Sequence, residues 1–333
     1  MNNFKKVGLT ALAGSLALIS VAQAETVLSG STEATYTTSD EATVGNPIGL
    51  SNDIFIKSSG EFNNGWGYSA HLNFTGQDMT ADSNSLTIDM GDLGSLIVDQ
   101  GTEAAGISGM ENFGNPSAYE EADHNVSSLD DTLDGNATGV IGYNNTYAGV
   151  TLSLELQPSS TGAKKEAGAF SGAGSTGSNY NWMVKAAVPG IDGLTLAGGA
   201  GKTKVKGAAA GVNDDEQFSL GARYTFGNIT AGYQIVETQS GALGADGNSG
   251  EMYGVAVNIN ENFSVSYSVA DMTVDKIAAG AAAVDVTEES TGISAAYTMG
   301  SASVRMSYNE ADNVGGVAGV KDDNTEISLA LAF

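Results

Sequence analysis

The last ten residues, Asn324 to Phe333, alternate with a period of two. Ile327, Leu329, Leu331 and Phe333 fall on one face of an extended chain, and Glu326, Ser328, Ala330 and Ala332 on the other. Successive side chains of a strand point to opposite faces of its sheet, so one face is apolar and the other polar or small. In a water-soluble sheet the apolar face must pack a core. In a barrel embedded in lipid it faces outward, and the polar face lines water. An aromatic at the very end suits the closing strand of such a barrel.

The same alternation recurs along the chain and predicts about sixteen strands. Clear examples are Trp66/Tyr68/Ala70/Leu72/Phe74, Val150/Leu152/Leu154/Leu156, Tyr180/Trp182/Val184/Ala186/Val188 and Phe218/Leu220/Ala222/Tyr224/Phe226. Ile229 to Ile235, Phe263 to Val269, Ile293 to Met299 and Ala302 to Tyr308 repeat the pattern, with Ser, Thr, Asn and Gly between the apolar positions. Tyr147, Tyr224, Phe226, Phe263 and Tyr297 sit near strand ends, as an interfacial aromatic girdle would.

Connections separate a sandwich from a barrel. One set is short: Asn63–Gly65, Asp92–Gly94, Tyr147–Gly149, Gly190–Gly193, Gly227–Asn228, Asn260–Asn262 and Gly300–Ser301. The other is long and rich in Gly, Ala and Asp: roughly 39–49, 77–83, 102–136, 158–178, 204–214, 239–249, 274–287 and 312–323. The two sets alternate strictly, which puts tight turns at one rim and long loops at the other. Greek-key crossovers of a sandwich would not sort them so.

The N-terminus supplies an address. Lys5 and Lys6 precede an apolar run from Val7 to Val21, and Ala22-Gln23-Ala24 forms a small-x-small cleavage site. Residues 1–24 therefore read as a secretory signal peptide, too short for a membrane helix, and 25–333 as one barrel domain. No later stretch approaches the ~20 apolar residues of a membrane helix. There is no cysteine, hence no disulfide or thiolate metal site. Net charge is −26, and −28 without Lys5 and Lys6 (11 basic against 39 acidic residues). Such a chain repels nucleic acid and attracts cations.

The signal peptide, the sixteen-strand rhythm, the long third loop and the terminal Phe333 resemble the general porins of the Gram-negative outer membrane. Val27-Leu28-Ser29-Gly30 and Gly94-Ser95-Leu96-Ile97-Val98-Asp99-Gln100-Gly101 are similar to the alphaproteobacterial branch. The resemblance implies an all-β, transmembrane antiparallel barrel in the lipid bilayer of the outer membrane, with short periplasmic turns and long external loops. It implies a homotrimer of water-filled pores, with the third loop folded into each lumen as a constriction. It also implies that Phe333 is read by the barrel-assembly machinery.

Loop 102–136 is the longest connection without regular structure, and such loops are commonly functional. It carries Glu103, Glu111, Glu120, Glu121, Asp123, Asp130, Asp131 and Asp134, with His124 and no Lys or Arg. As a constriction loop it would set a potential favouring small hydrophilic cations. Strand parity places Lys57, His71, Lys185, Arg223 and Arg305 on the polar face, since a charge toward lipid at mid-depth costs ~2–4 kcal/mol. The resemblance makes Lys57 and His71 the best match to a basic wall facing the acidic loop. The scarcity of basic residues predicts a weak transverse field and a net cation preference.

Other chemistries have weaker support. Asp130/Asp131/Asp134, Asp214/Asp215 and Asp322/Asp323 could bind Ca²⁺, although no twelve-residue calcium-loop spacing occurs. Gly198-Gly199-Ala200-Gly201-Lys202-Thr203 looks like a phosphate loop, but Leu196 stands where its first Gly is required, and no helix is expected after it. His71 and His124 are the only histidines, and neither falls in a triad or metal-pair spacing, so an enzyme is not expected. The alternatives are a secreted acidic β-rich surface or adhesive protein, and a substrate-selective outer-membrane channel.

Overall fold

In the computed structural model, residues 25–39, 45–76, 80–100, 106–120, 122, 139–158, 176–205, 214–239, 247–275 and 285–333 are described. The expected signal peptide lies outside them. Alternating sequence becomes sixteen strands: β1 (Glu25–Ser39), β2 (Ile48–Glu61), β3 (Gly67–Thr75), β4 (Thr80–Asp89), β5 (Ser95–Gln100), β6 (Val140–Tyr147), β7 (Val150–Gln157) and β8 (Thr176–Ala187). The second half is β9 (Leu194–Val205), β10 (Asp215–Phe226), β11 (Ile229–Gln239), β12 (Gly247–Asn258), β13 (Phe263–Asp275), β14 (Val286–Met299), β15 (Ala302–Asp312) and β16 (Lys321–Ala332).

Each strand pairs antiparallel with its sequence neighbours, and β1 pairs with β16, so the sheet is a closed barrel. Closure leaves no edge and satisfies the ladder hydrogen bonds internally, the condition for strands to cross lipid. The seam extends one residue beyond β16: Gly30 N–H donates to Phe333 O at 2.8 Å, and Phe333 N–H to Gly30 O at 2.9 Å. The Phe333 ring lies over Gly30, where even a methyl carbon would stand 2.7 Å from the ring.

The faces are inverted relative to a soluble protein. In β16, Ile327 and Leu329 are 45% and 44% exposed, while Ser328 between them is 1% exposed. Leu154, Leu156, Trp182, Leu220, Ile235, Tyr267, Ile293 and Met306 share that outward, exposed face. Ser153, Glu155, Asn181, Ser219, Gln234, Ser266, Ser294 and Ser307 are buried within. Tyr147, Tyr224, Phe226 and Tyr297 stand exposed at the turn-side ends of their strands, as the girdle reading expects.

Connections 62–66, 90–94, 148–149, 188–193, 227–228, 259–262 and 300–301 form the short-turn rim. Ala148 and Gly149 both have positive φ (51° and 81°), the mirror-image turn whose twist matches paired strands. At the other rim the strand bounds leave longer connections, and one expectation is corrected. The β3–β4 connection is only 76–79, because Thr75↔Thr80 and Phe74↔Ala81 extend the ladder past a bulge at Asn73/Phe74. The phosphate-loop lookalike is part of β9, as its alternation required.

Candidate functional site: a loop inside the barrel

The described part of the connection from β5 to β6, residues 106–120 and 122, lies inside the lumen. Gly106–Met110 is a short 3-10 helix packed against β7, β8, β9 and β10. Ile107, Met110 and Phe113 are buried with Met183, Ala197, Val236, Met252 and Met272 of the wall. Burying each large side chain contributes about 1.5–3 kcal/mol, so the loop is held by a small apolar core inside a polar lumen. Gly106 has φ +83°, and a Cβ there would collide with the Asn181 amide oxygen, so glycine is required where the loop enters.

Inward polar side chains hold the loop by its backbone. Ile107 N–H donates to Asn181 Oδ1 at 2.8 Å, and Asn181 Nδ2 donates to Glu155 Oε1 at 3.1 Å. Gly114 N–H donates to Gln234 Oε1 at 2.8 Å; Gln234 Nε2 donates to Met110 O and to Ser219 Oγ, both at 2.9 Å. Ala118, Tyr119 and Ala122 N–H groups donate to Ser266, Ser294 and Ser268 hydroxyls at 2.9, 3.0 and 2.7 Å. A loop without regular structure must satisfy its buried N–H groups somewhere, and here the wall accepts them.

Arg223 points inward as its parity predicts, but beneath the loop. Its Nε donates to Phe113 O at 2.8 Å, its Nη2 donates to Asn112 O, and its guanidinium sits 5.0 Å from the Phe113 ring centroid. Arg305 is also engaged. It pairs with Glu33, donates to Ser328 Oγ at 3.0 Å and lies 4.3 Å over the Tyr119 ring.

Tyr119 and Glu120 reach across to β15, β16 and β1. The Tyr119 hydroxyl donates to Glu326 and lies 3.3 Å from Glu33 Oε1. Thr37 Oγ1 donates to Glu326 Oε2 at 2.9 Å, and Ser307 Oγ to Glu120 Oε2 at 2.7 Å. Glu33, Glu120 and Glu326 thus gather around Tyr119, and Arg305 pairs with Glu33 alone among them. Burial raises the Glu120 carboxyl above its usual range and the Glu326 charge raises it further, against the Ser307 hydrogen bond. Burial and the bond to Glu326 push the Tyr119 phenol far up, so it stays protonated and donating.

Among the described residues, the loop's side-chain hydrogen bonds reach β8, β10, β11, β13, β14, β15, β16 and β1. On the closed ring β3 stands diametrically opposite β11. There Lys57, exposed, is the cross-strand partner of His71, whose ring stacks on Phe55 at 6.1 Å. Lys185 is on the inward face of β8, two residues beyond Met183. Glu111 is exposed at the end of the helical turn.

Glu103, Glu121, Asp123, His124, Asp130, Asp131 and Asp134 lie outside the described residues. Asp322 and Asp323 cannot chelate one ion together, since successive residues of β16 face opposite sides; Asp322 is buried and Asp323 points outward. Asp214 pairs with Lys202 at 3.4 Å. Among the described residues no group of three acidic or histidine side chains is placed to hold a metal. Glu33, Glu326, Tyr119, Asn181 and Gln234 were not singled out by sequence, where they read as ordinary polar or loop positions.

The sequence matches the Gram-negative porin family model over residues 8–333. No curated protein matches the chain. Among solved structures, OmpF of Salmonella typhi, in complex with daunomycin, superposes with TM-score 0.71 at 13% identity, covering 92% of this chain and 97% of that one. The trimer form of OmpT of Vibrio cholerae gives 0.68 at 13%, covering 93% and 99%. An anion-selective porin from Comamonas acidovorans gives 0.66 at 15%, covering 93% and 100%. Likeness at such identity shows a shared barrel, singles out no branch of the family, and leaves charge preference to the side chains. A closed sixteen-stranded barrel, greasy outside and polar within, with its third loop inside and a family match along nearly its whole length, belongs to the Gram-negative porins.

Proposed function

We propose that the chain forms a water-filled outer-membrane channel for passive diffusion of small hydrophilic solutes and ions, preferring cations, without catalysis. The observation that carries the preference is the cluster of Glu33, Glu120 and Glu326 against the single guanidinium of Arg305, where loop and wall meet inside the lumen. Both Arg223 and Arg305 are engaged in holding the loop, which leaves Lys57 and His71 as the basic groups of the opposite wall. A passing cation that has shed part of its water is stabilised by the carboxylates, while the lysine side supplies a weak transverse field. The working unit is a homotrimer, formed after removal of residues 1–24, with Phe333 recognised during assembly. A trimer form among similar barrels supports the first of these.

Planar-bilayer recording tests the proposal. Three conductance steps per insertion and a reversal potential of cationic sign in a salt gradient are expected. An anionic or neutral reversal potential overturns the preference, and a single step per insertion overturns the trimer. Conductance that saturates with one solute would favour a substrate-selective channel instead.

A further inference from the structure

The wall under the loop contains a furrow. Gly232, Gly254, Ser268 and Gly292 are successive cross-strand partners on β11, β12, β13 and β14, so they form one straight row across four strands. The row is bounded by Arg223 on β10 and Asn309 on β15. Wherever the row lacks a side chain, the loop fills the space. A Cβ on Gly232 would stand 2.6 Å from Gly114 O and 2.8 Å from its carbonyl carbon. One on Gly254 would stand 2.6 Å from Asn115 Oδ1, and one on Gly292 would meet the Asn309 amide of β15 as well as the loop, 2.9 Å from Ala122 N. Ser268, the one row member with a side chain, accepts the Ala122 N–H at 2.7 Å. None of these glycines has the positive φ that would require glycine for the backbone's sake. At Gly232 and Gly254 their smallness is explained by the loop lying on them; at Gly292 the loop shares the space with Asn309.

We propose that this furrow sets the width of the channel: Gly232, Gly254 and Gly292 are positioning residues whose missing side chains let the loop lie flush with the wall. The proposal rests on the channel reading above. A methyl at Gly232 meets backbone rather than a yielding side-chain tip. Ordinary contact between such atoms is about 3.5–4 Å, so the loop must rise by roughly 1 Å. The wall blocks every direction except the lumen, and the rise narrows the opening.

The test is single-channel conductance and the ratio of liposome swelling rates for a large and a small sugar, a ratio independent of how much protein inserts. Gly232→Ala and Gly254→Ala should lower conductance roughly 1.3- to 2-fold and lower the swelling ratio further. Gly67→Ala is the control: it adds a methyl to the inner face of β3, where the nearest contact is an ordinary 3.6 Å to Asp89 Cβ. It should change neither reading. Equal effects of Gly232→Ala and Gly67→Ala overturn the proposal. If Gly232→Ala does not fold, Gly221 serves, since its Cβ would stand 2.7 Å from Phe113 Cδ1. Gly221→Ala should lower conductance in the wild-type background but not in Phe113→Ala; equal loss in both overturns the furrow. A wild-type protein that conducts nothing defeats the channel reading instead.

Discussion

Glu120→Gln isolates the electrostatics of the site from its shape. Glutamine is nearly isosteric and keeps an oxygen to accept the Ser307 hydroxyl. It removes one of three carboxylates gathered around Tyr119, so the local charge falls from −2 to −1 (Glu33, Glu120 and Glu326 together with the Arg305 guanidinium paired to Glu33). A unit charge about 6 Å from a monovalent ion in a water-like medium contributes about 0.7 kcal/mol, a factor of about 3. The same charge acts with opposite sign on the anion, while salt at 0.1 M screens beyond about 10 Å. The cation-to-anion permeability ratio should therefore fall about 3- to 5-fold, read as a smaller reversal potential in a KCl gradient. Because burial and Glu326 raise the Glu120 pKa above 4.5, the wild type should lose the same share of its preference as pH falls through that raised value. The step should come above the usual carboxylate range, and Glu120→Gln should lack it. Stability has the opposite sign. An ionised Glu120 is a cost at neutral pH that vanishes as pH drops through its folded value, so the amide should not destabilise the barrel. An unchanged reversal potential in Glu120→Gln, with an unchanged pH profile, would refute this account.

Lys57→Gln removes charge of the other sign from the opposite wall and should increase the cation preference by up to about the same factor; an unchanged preference would place Lys57 away from the permeation path. Gln234→Leu leaves the Gly114 N–H and the Met110 carbonyl buried without their partner. At about 1–3 kcal/mol for each, the loop should be loosened by about 2–6 kcal/mol, seen as faster amide exchange at Gly114 with global thermal stability little changed. Arg223→Met keeps the stem but loses two charge-assisted bonds to the loop, about 1.5–3 kcal/mol each, and should raise open-channel noise. Quiet recordings from Arg223→Met would mean that the apolar seat and the Asn181, Gln234 and serine anchors hold the loop without it.

The strands were legible because period two is a local property and each barrel strand shows lipid on one side and water on the other. Ile327/Leu329 against Ser328 states this within three residues, and the short turns then fixed which strands pair. Parity also put Lys57, His71, Lys185, Arg223 and Arg305 on the inner face. It could not show that Arg223 and Arg305 would be engaged by the loop, because their loop partners, the carbonyls of Phe113 and Asn112 and the ring of Tyr119, are far from them in sequence. Asn181 and Gln234 looked like any inward polar residue, since an anchor is defined by the N–H it receives. The overlong β3–β4 loop had the same origin: Thr80 to Ser83 look like loop until the ladder across the bulge pairs them. Glycines were harder still. Gly232 and Gly254 read as small residues of a strand, and only register sets them side by side under the loop.

The anchors act on the loop's backbone. Ile107, Gly114, Ala118, Tyr119 and Ala122 give N–H groups, and Met110, Asn112 and Phe113 give carbonyls; beyond the apolar seat, Tyr119, the Asn115 amide against Gly254 and the Glu120 carboxylate that accepts the Ser307 hydroxyl, the anchors read backbone rather than side chains. On the proposed reading, width is set by the wall glycines, while the loop's own charges, Glu111 and Glu120, can change without moving its backbone anchors. This is consistent with a barrel of the same shape being anion-selective in another bacterium. It also yields a sharper demand on the structure. Glu111→Lys with Glu120→Gln changes the loop's charge by three units and leaves every backbone anchor in place. It should carry the reversal potential toward the anionic side while single-channel conductance stays within about 1.5-fold. A large fall in conductance along with the change of sign would mean that the carboxylates themselves hold the loop in position, and that charge and width are one property of this channel.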